Sequence, residues 1–369
     1  MRLQIEDAEG LRSEAQSTRL LAELLERTGG DAPATRGWCP TSGEAIAWAA
    51  TADQLLVLRL PPAPRPAQLE LVGEGLEGHR EAVLGALAAR SLRATESLTF
   101  EEEEPASPTR VAYSLTRILE ARQSEHHQIL LFETRGLGRV LVLDGIVQLA
   151  ELDGYAYHEV LAHPALCAHP APERVAIVGG GDGHLLVEVL KHPQVRRVDL
   201  LELDASVLEV CRRHFGQVEA ALQDERVHLH LGDAFESILE FDGALDVILC
   251  DLTDPIGEAA RLFEEPFYRR CRRALREPGM VVAQIESIHL HPGTVVGCRR
   301  AMGQHFARTD LLWAAMATYP GAWWTFGAGT TGFDPRQPHR RPDLGTRLYH
   351  PDAHTWFFIP WTVQEKLLP

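Results

Sequence analysis

One glycine-rich stretch in the middle of the chain constrains its fold more than any other feature. An apolar run at 174–178 suits a buried strand, the turn 179–183 follows at once, and 184–192 carries apolar residues at helical spacing. A second apolar run, 198–203, holds Glu202 near its end, about twenty residues after the first glycine. This order predicts a nucleoside-binding α/β unit in which the acid accepts hydrogen bonds from ribose hydroxyls. A plain tight turn is the alternative.

The spacing of the glycines indicates which class of ligand the turn binds. Gly179, Gly181 and Gly183 give the G-x-G-x-G pattern of S-adenosylmethionine-type enzymes, and the longer pattern of NAD enzymes is absent. Asp182 adds a carboxylate to a loop that would otherwise favour anions. A pyrophosphate would be repelled there, so the loop favours a positively charged nucleoside.

The charge balance of the chain narrows the classes of partner. Its 369 residues carry 52 acidic side chains against 36 Lys and Arg, a net charge of −16. Nucleic acid as the main partner is disfavoured because phosphate binding needs a basic surface. Cationic substrates fit the charge, and simple solubility explains it equally well.

The remaining composition favours a cytoplasmic protein. The sequence has no apolar stretch of about 18 residues and no signal peptide, so we expect no membrane association. The six cysteines show no metal or redox spacing and are expected to be free thiols.

Changes in periodicity divide the chain into four predicted segments. An acidic, proline-containing stretch at 101–110 reads as a linker after an α+β N-terminal domain at 1–100. A small antiparallel β-sheet domain is expected at 111–170 and a Rossmann-like catalytic domain at 171–369. The predicted helices are 17–27, 78–89, 155–166, 184–192 and 265–275, and the predicted strands are 45–50, 55–60, 128–133, 140–143, 146–149, 174–178, 198–203, 227–231, 246–251 and 280–284. Alternation of strands and helices beyond 171 predicts a mainly parallel sheet, and therefore the α/β fold class.

Polar side chains gather at the predicted carboxyl ends of these strands, where ligands bind in parallel sheets. They are Asp182, Glu202, Asp233, Asp251 and Gln284. Asp251 is followed by Asp254, and such a pair can bind a metal, act in acid–base chemistry or hold ammonium groups. Asp254 can also simply cap a turn before Pro255.

We expect no metal, because no histidine stands near the Asp pair at ligand spacing. His158 and His163 resemble a zinc-protease motif with one residue too many. Five residues at about 100° each place the two side chains roughly 140° apart on a helix, so they cannot share one ion.

From about Gln128 to its C-terminus, the chain resembles the spermidine/spermine synthases, which are polyamine aminopropyltransferases. About 240 residues are covered by the resemblance. The matching residues are Gln128, 141–148, Asp153, Tyr157, His158, Glu159, 178–183, Glu202, 232–234, Asp251, Asp254, Pro255, Gln284, Glu286, Tyr319, Pro320, Trp324, Phe326 and 349–360. The resemblance implies the Rossmann-like fold of S-adenosylmethionine-dependent methyltransferases.

The resemblance also implies an activity and a role for each matched residue. The family transfers the aminopropyl group of decarboxylated S-adenosylmethionine to an amine and releases methylthioadenosine, with no permanently bound cofactor. Donor-binding residues are then Gly179, Gly181, Asp182 (aminopropyl ammonium), Gly183, Glu202 (ribose), Asp233 (adenine amino group), Ala234 and Gln128. Asp251 and Tyr157 face the attacking amine, and the acceptor site includes Asp254, Gln284, Tyr319, Trp324, Asp153 and His158, with Gln128 at its border.

Elementary chemistry agrees with these roles. The sulfonium of the donor is an activated leaving group, but the acceptor amine is protonated at neutral pH, like Lys with a pKa of about 10.4. Removing that proton costs about 4–5 kcal/mol, and Asp251 is the predicted base. A carboxylate at Asp182 disfavours ordinary S-adenosylmethionine, which brings a carboxylate of its own.

Departures from the family pattern leave the acceptor amine open among putrescine, spermidine and agmatine. Leu152 and Gly154 replace the usual Arg and Glu beside Asp153, and His184 replaces the last loop glycine. Leu252 stands where putrescine-specific members carry Ser.

The first hundred residues loosely resemble the S-adenosylmethionine decarboxylase-like domain of spermine synthases. The self-cleaving Glu-Ser-His is missing, with 52–54 in its place, so no decarboxylase activity is expected. The expected role is homodimer formation or a wall on the acceptor side of the site. An amine N-methyltransferase on the same scaffold and a catalytically silent binding protein remain as alternatives.

Overall fold

A computed structural model describes residues 2–6, 14–27, 35–40, 45–50, 54–60, 67–73, 93–96, 98–102, 110–319 and 321–367. The chain divides into two compact units. The first contains residues 1–101 and 112–116, and the second contains 102–111 and 117–369. The candidate site described below lies within the second unit.

The first unit is an antiparallel sheet with a helix packed on it. Its elements are β1 (Arg2–Glu6), α1 (Glu14–Arg27), β2 (Thr35–Pro40), β3 (Ala45–Ala50), β4 (Gln54–Leu60), β5 (Ala67–Gly73), β6 (Arg93–Glu96) and most of β7 (Leu98–Glu102). Six of these strands form one sheet in the order β2-β3-β4-β5-β1-β6. Leu20, Leu21 and Leu24 of α1 recur at helical spacing and are fully buried. The predicted helix 17–27 and the strands near 45–50 and 55–60 are confirmed. The predicted helix 78–89 lies outside the described residues.

The second unit begins with a small antiparallel sheet. Its strands are the second half of β8 (Val111–Gln123), β9 (Gln128–Thr134), β10 (Gly138–Leu143) and β11 (Ile146–Ala150). The β10–β11 hairpin turns at Asp144 and Gly145, whose φ angles are 51° and 86°. Positive φ at both positions is what an Asp-Gly two-residue hairpin supplies, so the hairpin prediction is confirmed.

A seven-stranded sheet follows, in the order β14-β13-β12-β15-β16-β18-β17. The strands are β12 (Arg174–Gly179), β13 (Arg197–Glu202), β14 (Val227–Leu231), β15 (Leu245–Asp251), β16 (Leu275–Ser287), β17 (Arg308–Ala315) and β18 (Trp323–Thr330). The first five strands pair in parallel, and β18 and β17 add antiparallel pairings at one side. Chain order reverses between β12 and β15, which creates a crevice at the carboxyl ends of the strands.

Helices cover both faces of this sheet. They are α2 (Gly154–Ala168), α3 (His184–Leu190), α4 (Ala205–His214), α5 (Gly216–Leu222), α6 (Ala234–Ser237), α7 (Glu265–Ala274), α8 (Pro292–Gly303) and α9 (Trp361–Leu367), with 3-10 turns at Ile238–Phe241, Gly257–Phe263 and Pro351–Phe357. On β12, Val175 and Ile177 enter one core while Ala176 and Val178 enter the other. Because both faces of β12 are buried, this strand needs an unbroken run of apolar residues, as the sequence predicts. The predicted α/β, methyltransferase-like fold with a preceding antiparallel sheet is confirmed.

Two further observations concern the composition. Five cysteines with described side chains, Cys167, Cys211, Cys250, Cys271 and Cys298, are free and buried. Within the described ranges, no helix is both long enough and apolar enough to cross a membrane.

Candidate active site

A cavity of about 770 Å³ opens at the carboxyl ends of β12, β13 and β15. Most of the sequence-predicted site residues line it: Tyr157, Gly179, Gly181, Asp182, Glu202, Asp233, Ala234, Asp251, Asp254, Gln284, Tyr319 and Trp324. They come from seven separate parts of the sequence, so the fold is what brings them together. Gly183, Gln128, Asp153 and His158 do not line the cavity.

The glycine turn fits tightly against its neighbours. Gly179 has a φ of +74°, and a Cβ there would lie 2.1 Å from the carbonyl oxygen of Asp251. Gly183 has a φ of +76°, and a Cβ there would lie 2.3 Å from a methyl group of Val218. Gly183 is therefore required for packing against α5, whereas Gly179 brings the turn against the end of β15.

The two acids at the end of β13, Glu202 and Asp204, have different surroundings. Asp204 accepts a hydrogen bond from the Ser206 backbone N–H at 2.9 Å and caps α4. Glu202 lines the cavity and is 7% exposed. Burial raises the pKa of Glu202 to about 7, against hydrogen bonds that lower it. Glu202 is therefore the acid available to a ligand, as the sequence predicts.

Asp233 has a charged partner that sequence reasoning missed. Its Oδ1 accepts the Phe235 backbone N–H at 3.0 Å, and its Oδ2 lies 2.6 Å from an Arg261 guanidinium nitrogen. Arg261 also lines the cavity and stands over the Phe235 ring at 4.9 Å. It lies in the 3-10 turn Gly257–Phe263, where no motif marks it, so only the fold reveals this contact.

Two carboxylates and an imidazole form the charged centre of the site. His158 Nε2 lies 3.2 Å from Asp182 Oδ2 and 3.7 Å from Asp251 Oδ2. Burial and the charge of Asp182 raise the pKa of Asp251 to about 6. The pKa of Asp182 is held well below its ordinary value because the charge and hydrogen bond of His158 outweigh burial. The Oδ2 atom of Asp251 is buried and has no hydrogen-bond partner among the residues that the structure describes.

Aromatic rings border these carboxylates. The Tyr157 ring lies 5.9 Å from that of Tyr319 and 5.0 Å from that of Phe326, and Tyr319 lies 4.6 Å from Trp324. Burial and the charge of Asp251 raise the pKa of the Tyr157 hydroxyl well above its ordinary value. Tyr157 therefore stays a neutral hydrogen-bond donor beside Asp251.

Amide groups mark the far side of the cavity. Gln284 is 1% exposed and donates to the carbonyl oxygens of Leu252 and Thr253 at 3.0 and 3.3 Å. The side-chain amide of Gln148 donates to Asp254 Oδ2 at 3.4 Å, and the backbone carbonyl of Gln148 accepts a hydrogen bond from the Tyr319 hydroxyl. Asp254 is thus oriented toward the cavity at the end away from Glu202.

Two predicted site residues lie elsewhere. The side chain of Gln128 is exposed, and the preceding residue, His127, lines the cavity and pairs with Asp144 at 2.8 Å. Gln128 begins β9, and its predicted role in binding the donor and the acceptor stays a prediction. The carboxylate of Asp153 accepts the backbone N–H groups of Ala317 and Thr318 at 2.7 and 2.9 Å. Asp153 therefore supports the loop that leads to Tyr319 without facing the cavity.

His158 and His163 have separate partners, as their spacing predicts. His163 bonds to His192 at 3.0 Å and to Glu188 at 2.9 Å. His158, Asp182 and Asp251 offer ligand atoms within 4.8 Å of one another, a spacing that a metal ion could use. We interpret this group as a binding place for an organic cation, because both imidazole nitrogens of His158 face hydrogen-bond acceptors and so carry protons. The absence of a metal stays a prediction.

Comparison with known proteins agrees with this geometry. The model of the spermine/spermidine synthase domain matches residues 154–336, and the model of the spermidine synthase tetramerisation domain matches 98–151. A polyamine aminopropyltransferase of Hydrogenobaculum sp. (strain Y04AAS1) is 37% identical over 269 residues, covering 73% of this chain and 96% of the relative. Polyamine aminopropyltransferase 1 of Aquifex aeolicus is 37% identical over 271 residues, covering 73% and 97%.

Solved structures give the same result. A spermidine synthase in complex with the transition state analogue AdoDATO superposes with a TM-score of 0.68 at 32% identity, over 74% of this chain and 96% of that one. The spermidine synthase of Thermotoga maritima gives 0.67 at 32% identity, over 74% and 95%. The family resemblance inferred from the motifs is thereby confirmed. The chain belongs to the spermine/spermidine synthase family, the polyamine aminopropyltransferases.

Proposed function

We propose that this protein transfers the aminopropyl group of decarboxylated S-adenosylmethionine to a di- or polyamine and releases methylthioadenosine. The observation that carries this assignment is the pair formed by Asp182 and Asp251, two carboxylates with side chains only 11% exposed that both reach His158 Nε2. A buried carboxylate pair favours cationic ligands strongly, because a cation offsets the cost of desolvating the anions. Both proposed substrates are cations.

The donor would lie along the cavity from Asp233 to Asp182. Glu202 would accept hydrogen bonds from the ribose hydroxyls, and Asp233 would accept one from the adenine amino group beside Arg261. Gly179, Gly181 and Ala234 border the same side of the cavity. Asp182 would hold the aminopropyl ammonium, where the carboxylate of intact S-adenosylmethionine would be repelled. This repulsion also argues against the N-methyltransferase alternative, and the relatives support aminopropyl transfer.

The acceptor amine would approach from the side of Asp254. Tyr319 and Trp324 would border its carbon chain, Gln284 would support the backbone at Leu252 and Thr253, and Asp254 would hold a distal ammonium. The amine nitrogen nearest the sulfonium would meet Asp251.

Catalysis would consist of proton removal and alignment. Asp251 would accept a proton from the attacking amine, and its raised pKa makes it a better base at neutral pH than an ordinary carboxylate. Tyr157 would donate a hydrogen bond that fixes the carboxylate. The free amine then attacks the carbon next to sulfur, that carbon–sulfur bond breaks, and the electron pair leaves with methylthioadenosine.

A product assay tests this function. Purified full-length protein is incubated with either decarboxylated or intact S-adenosylmethionine and with putrescine, spermidine or agmatine. We expect methylthioadenosine from the decarboxylated donor with at least one of these amines. Formation of S-adenosylhomocysteine from the intact donor, with no methylthioadenosine from the other, would support methyl transfer instead.

We further propose that the protein acts as a homo-oligomer in the cytoplasm. The match of residues 98–151 to a tetramerisation domain supports an oligomer, and the predicted homodimer through residues 1–100 is the simplest form. Light scattering on the full chain and on a chain beginning at residue 98 tests this. We expect the shorter chain to lose the dimer. If its measured mass is still that of a dimer, the interface lies outside residues 1–97.

A further inference from the structure

His158 is surrounded by hydrogen-bond acceptors. Its Nδ1 lies 2.7 Å from the carbonyl oxygen of Gly154, and its Nε2 lies 3.2 Å from Asp182 Oδ2 and 3.7 Å from Asp251 Oδ2. A carbonyl accepts hydrogen bonds and cannot donate them, and the same is true of an ionised carboxylate. Both ring nitrogens must therefore carry a proton, and His158, which is 2% exposed, is an imidazolium ion in the absence of ligand.

The imidazolium contacts the two carboxylates that the proposed function assigns to the cationic substrates. Asp182 is the carboxylate proposed for the ammonium of the donor, and Asp251 is the one that meets the acceptor amine. A second positive charge brought against the same two carboxylates would be repelled by His158 in a site that excludes water. The repulsion disappears if His158 loses one proton.

We propose, resting on the function above, that binding of the cationic donor expels the Nε2 proton of His158. The N–H bond breaks, its electron pair stays on Nε2, and the proton passes to the solvent. The other proton remains on Nδ1, which donates a hydrogen bond to the carbonyl oxygen of Gly154, and this bond fixes the tautomer. With Nε2 neutral, His158 no longer competes with the donor's ammonium for the carboxylates of Asp182 and Asp251.

Several charged or titratable groups face His158 from neighbouring elements. They are Asp182 after β12, Asp251 at the end of β15, His184 at the start of α3, whose ring stacks on that of His158 at 5.5 Å, and Tyr157 on α2 itself. Glu202 and Tyr319 lie beyond these. Although burial lowers the pKa of His158, the charge and hydrogen bond of Asp182, with the charge of Asp251, raise it to about 9.

These values identify the best pH for a test. At pH 8 the carboxyl groups of Asp251 and Glu202, with pKa values of about 6 and about 7, are ionised already. His158 is still protonated there. A proton released at pH 8 on donor binding is therefore assigned to His158, and substitution of His158 checks that assignment.

The experiment is calorimetric titration of the full-length protein at pH 8 in two buffers with different ionisation enthalpies. The ligands are decarboxylated S-adenosylmethionine and methylthioadenosine, which shares the nucleoside but has no positive charge. We expect release of about one proton with the first ligand and almost none with the second. Donor affinity should also rise about tenfold from pH 7 to pH 8, because one proton is released per donor bound and the proton concentration is tenfold lower at pH 8.

Two variants complete the design. His158→Gln keeps hydrogen-bonding capacity but cannot titrate, so we expect much less proton release at pH 8 and a clearly weaker dependence of donor affinity on pH between pH 7 and pH 8 than in the unsubstituted protein. The matched control is His230→Gln, because His230 pairs with a different carboxylate, Asp199, at 2.9 Å and does not line the cavity. This control should behave as the unsubstituted protein.

The outcomes separate the inference from the function on which it rests. Donor binding to the unsubstituted protein without proton release, or with equal release for both ligands, overturns the inference while leaving aminopropyl transfer intact. Undiminished release by His158→Gln overturns it as well. If the donor does not bind at all while the protein is folded, the proposed function itself fails. The comparison of the two ligands on unsubstituted protein decides the matter even if His158→Gln does not fold.

Discussion

Two histidines on one helix, His158 and His163, show how similar contacts serve different ends. Both lie on α2, both are almost completely buried, and each bonds to a carboxylate. His163 reaches Glu188 at 2.9 Å, and His158 reaches Asp182 at 3.2 Å. Their sequence spacing turns them to different sides of the helix, so one meets the helix α3 and the other meets the ends of the strands.

The two histidines differ in how far the charge of the neighbouring carboxylates is balanced by other residues. Glu188 also pairs with Lys191 at 2.6 Å, so its charge is balanced within the protein, and it does not line the cavity. Asp182 and Asp251 both contact His158, Asp182 also lies 3.3 Å from His184 Nδ1, and Asp251 Oδ2 has no hydrogen bond among the described residues. A balanced network stabilises a fold, whereas an excess of buried negative charge next to a cavity binds a cation. Four predictions test this distinction, beginning with the largest expected effect.

Asp251→Asn should abolish most turnover. The amide cannot accept a proton from the attacking amine, and a positioned base contributes about 10²–10⁴-fold to such reactions. Methylthioadenosine release at saturating substrates measures kcat, and calorimetric binding of methylthioadenosine controls for an intact donor site. Near-normal turnover in this variant would remove Asp251 from the mechanism.

Asp182→Asn should mainly weaken donor binding and selectivity. Hydrogen bonds to charged groups contribute about 1.5–3 kcal/mol, so kcat/KM for the donor should fall about tenfold to a hundredfold. The preference for decarboxylated over intact S-adenosylmethionine should shrink, because the intact donor is no longer repelled. Competition between the two donors measures this preference. An unchanged preference in Asp182→Asn would mean that another residue selects the donor by its charge.

The pH dependence of kcat should show an acid limb from Asp251. The pKa of this carboxyl is about 6 without ligand, and bound cations lower it, so the base is protonated only at or below about pH 6. We expect kcat to fall about tenfold per pH unit in that range and to be flat up to pH 8. A decline that begins above pH 7 would point to a different essential base.

Glu188→Gln should affect stability without affecting turnover. Loss of the charged hydrogen bonds to His163 and Lys191 should cost about 1–3 kcal/mol of unfolding free energy at pH 7. Although burial raises the pKa of Glu188, its interactions with His163 and Lys191 lower it further, to below its ordinary 4.5. Its contribution is therefore present above pH 4.5 and is lost as the pH falls through the folded-state pKa, so the two proteins should converge in acid. Denaturant titrations at several pH values measure this, and a large loss of kcat would contradict a purely structural role.

The central part of the site could be predicted from sequence because each step has a local cause. The glycine turn, the apolar run of β12 and the acid at 202 follow one another within a short segment, so local rules suffice. Asp233 and Asp251 follow apolar strands, and parallel strands bring their carboxyl ends to one edge. Even the separation of His158 from His163 follows from helical periodicity alone.

What could not be predicted depends on contacts between distant residues. Asp153 stands in a matched motif, yet it binds the backbone of Ala317 and Thr318, 164 and 165 residues away. Arg261 reaches Asp233 from a 3-10 turn that has no periodic pattern. His127 lines the cavity and Gln128, the first residue of β9, has an exposed side chain, and no pattern in the sequence distinguishes the two.

Calorimetric titration of the full chain with decarboxylated and intact S-adenosylmethionine tests the central claim most directly. The claim is that unbalanced carboxylates at the strand ends choose the donor by its charge. The account predicts that the decarboxylated donor binds at least about tenfold more tightly, in keeping with one charged hydrogen bond. Equal or tighter binding of the intact donor would contradict it.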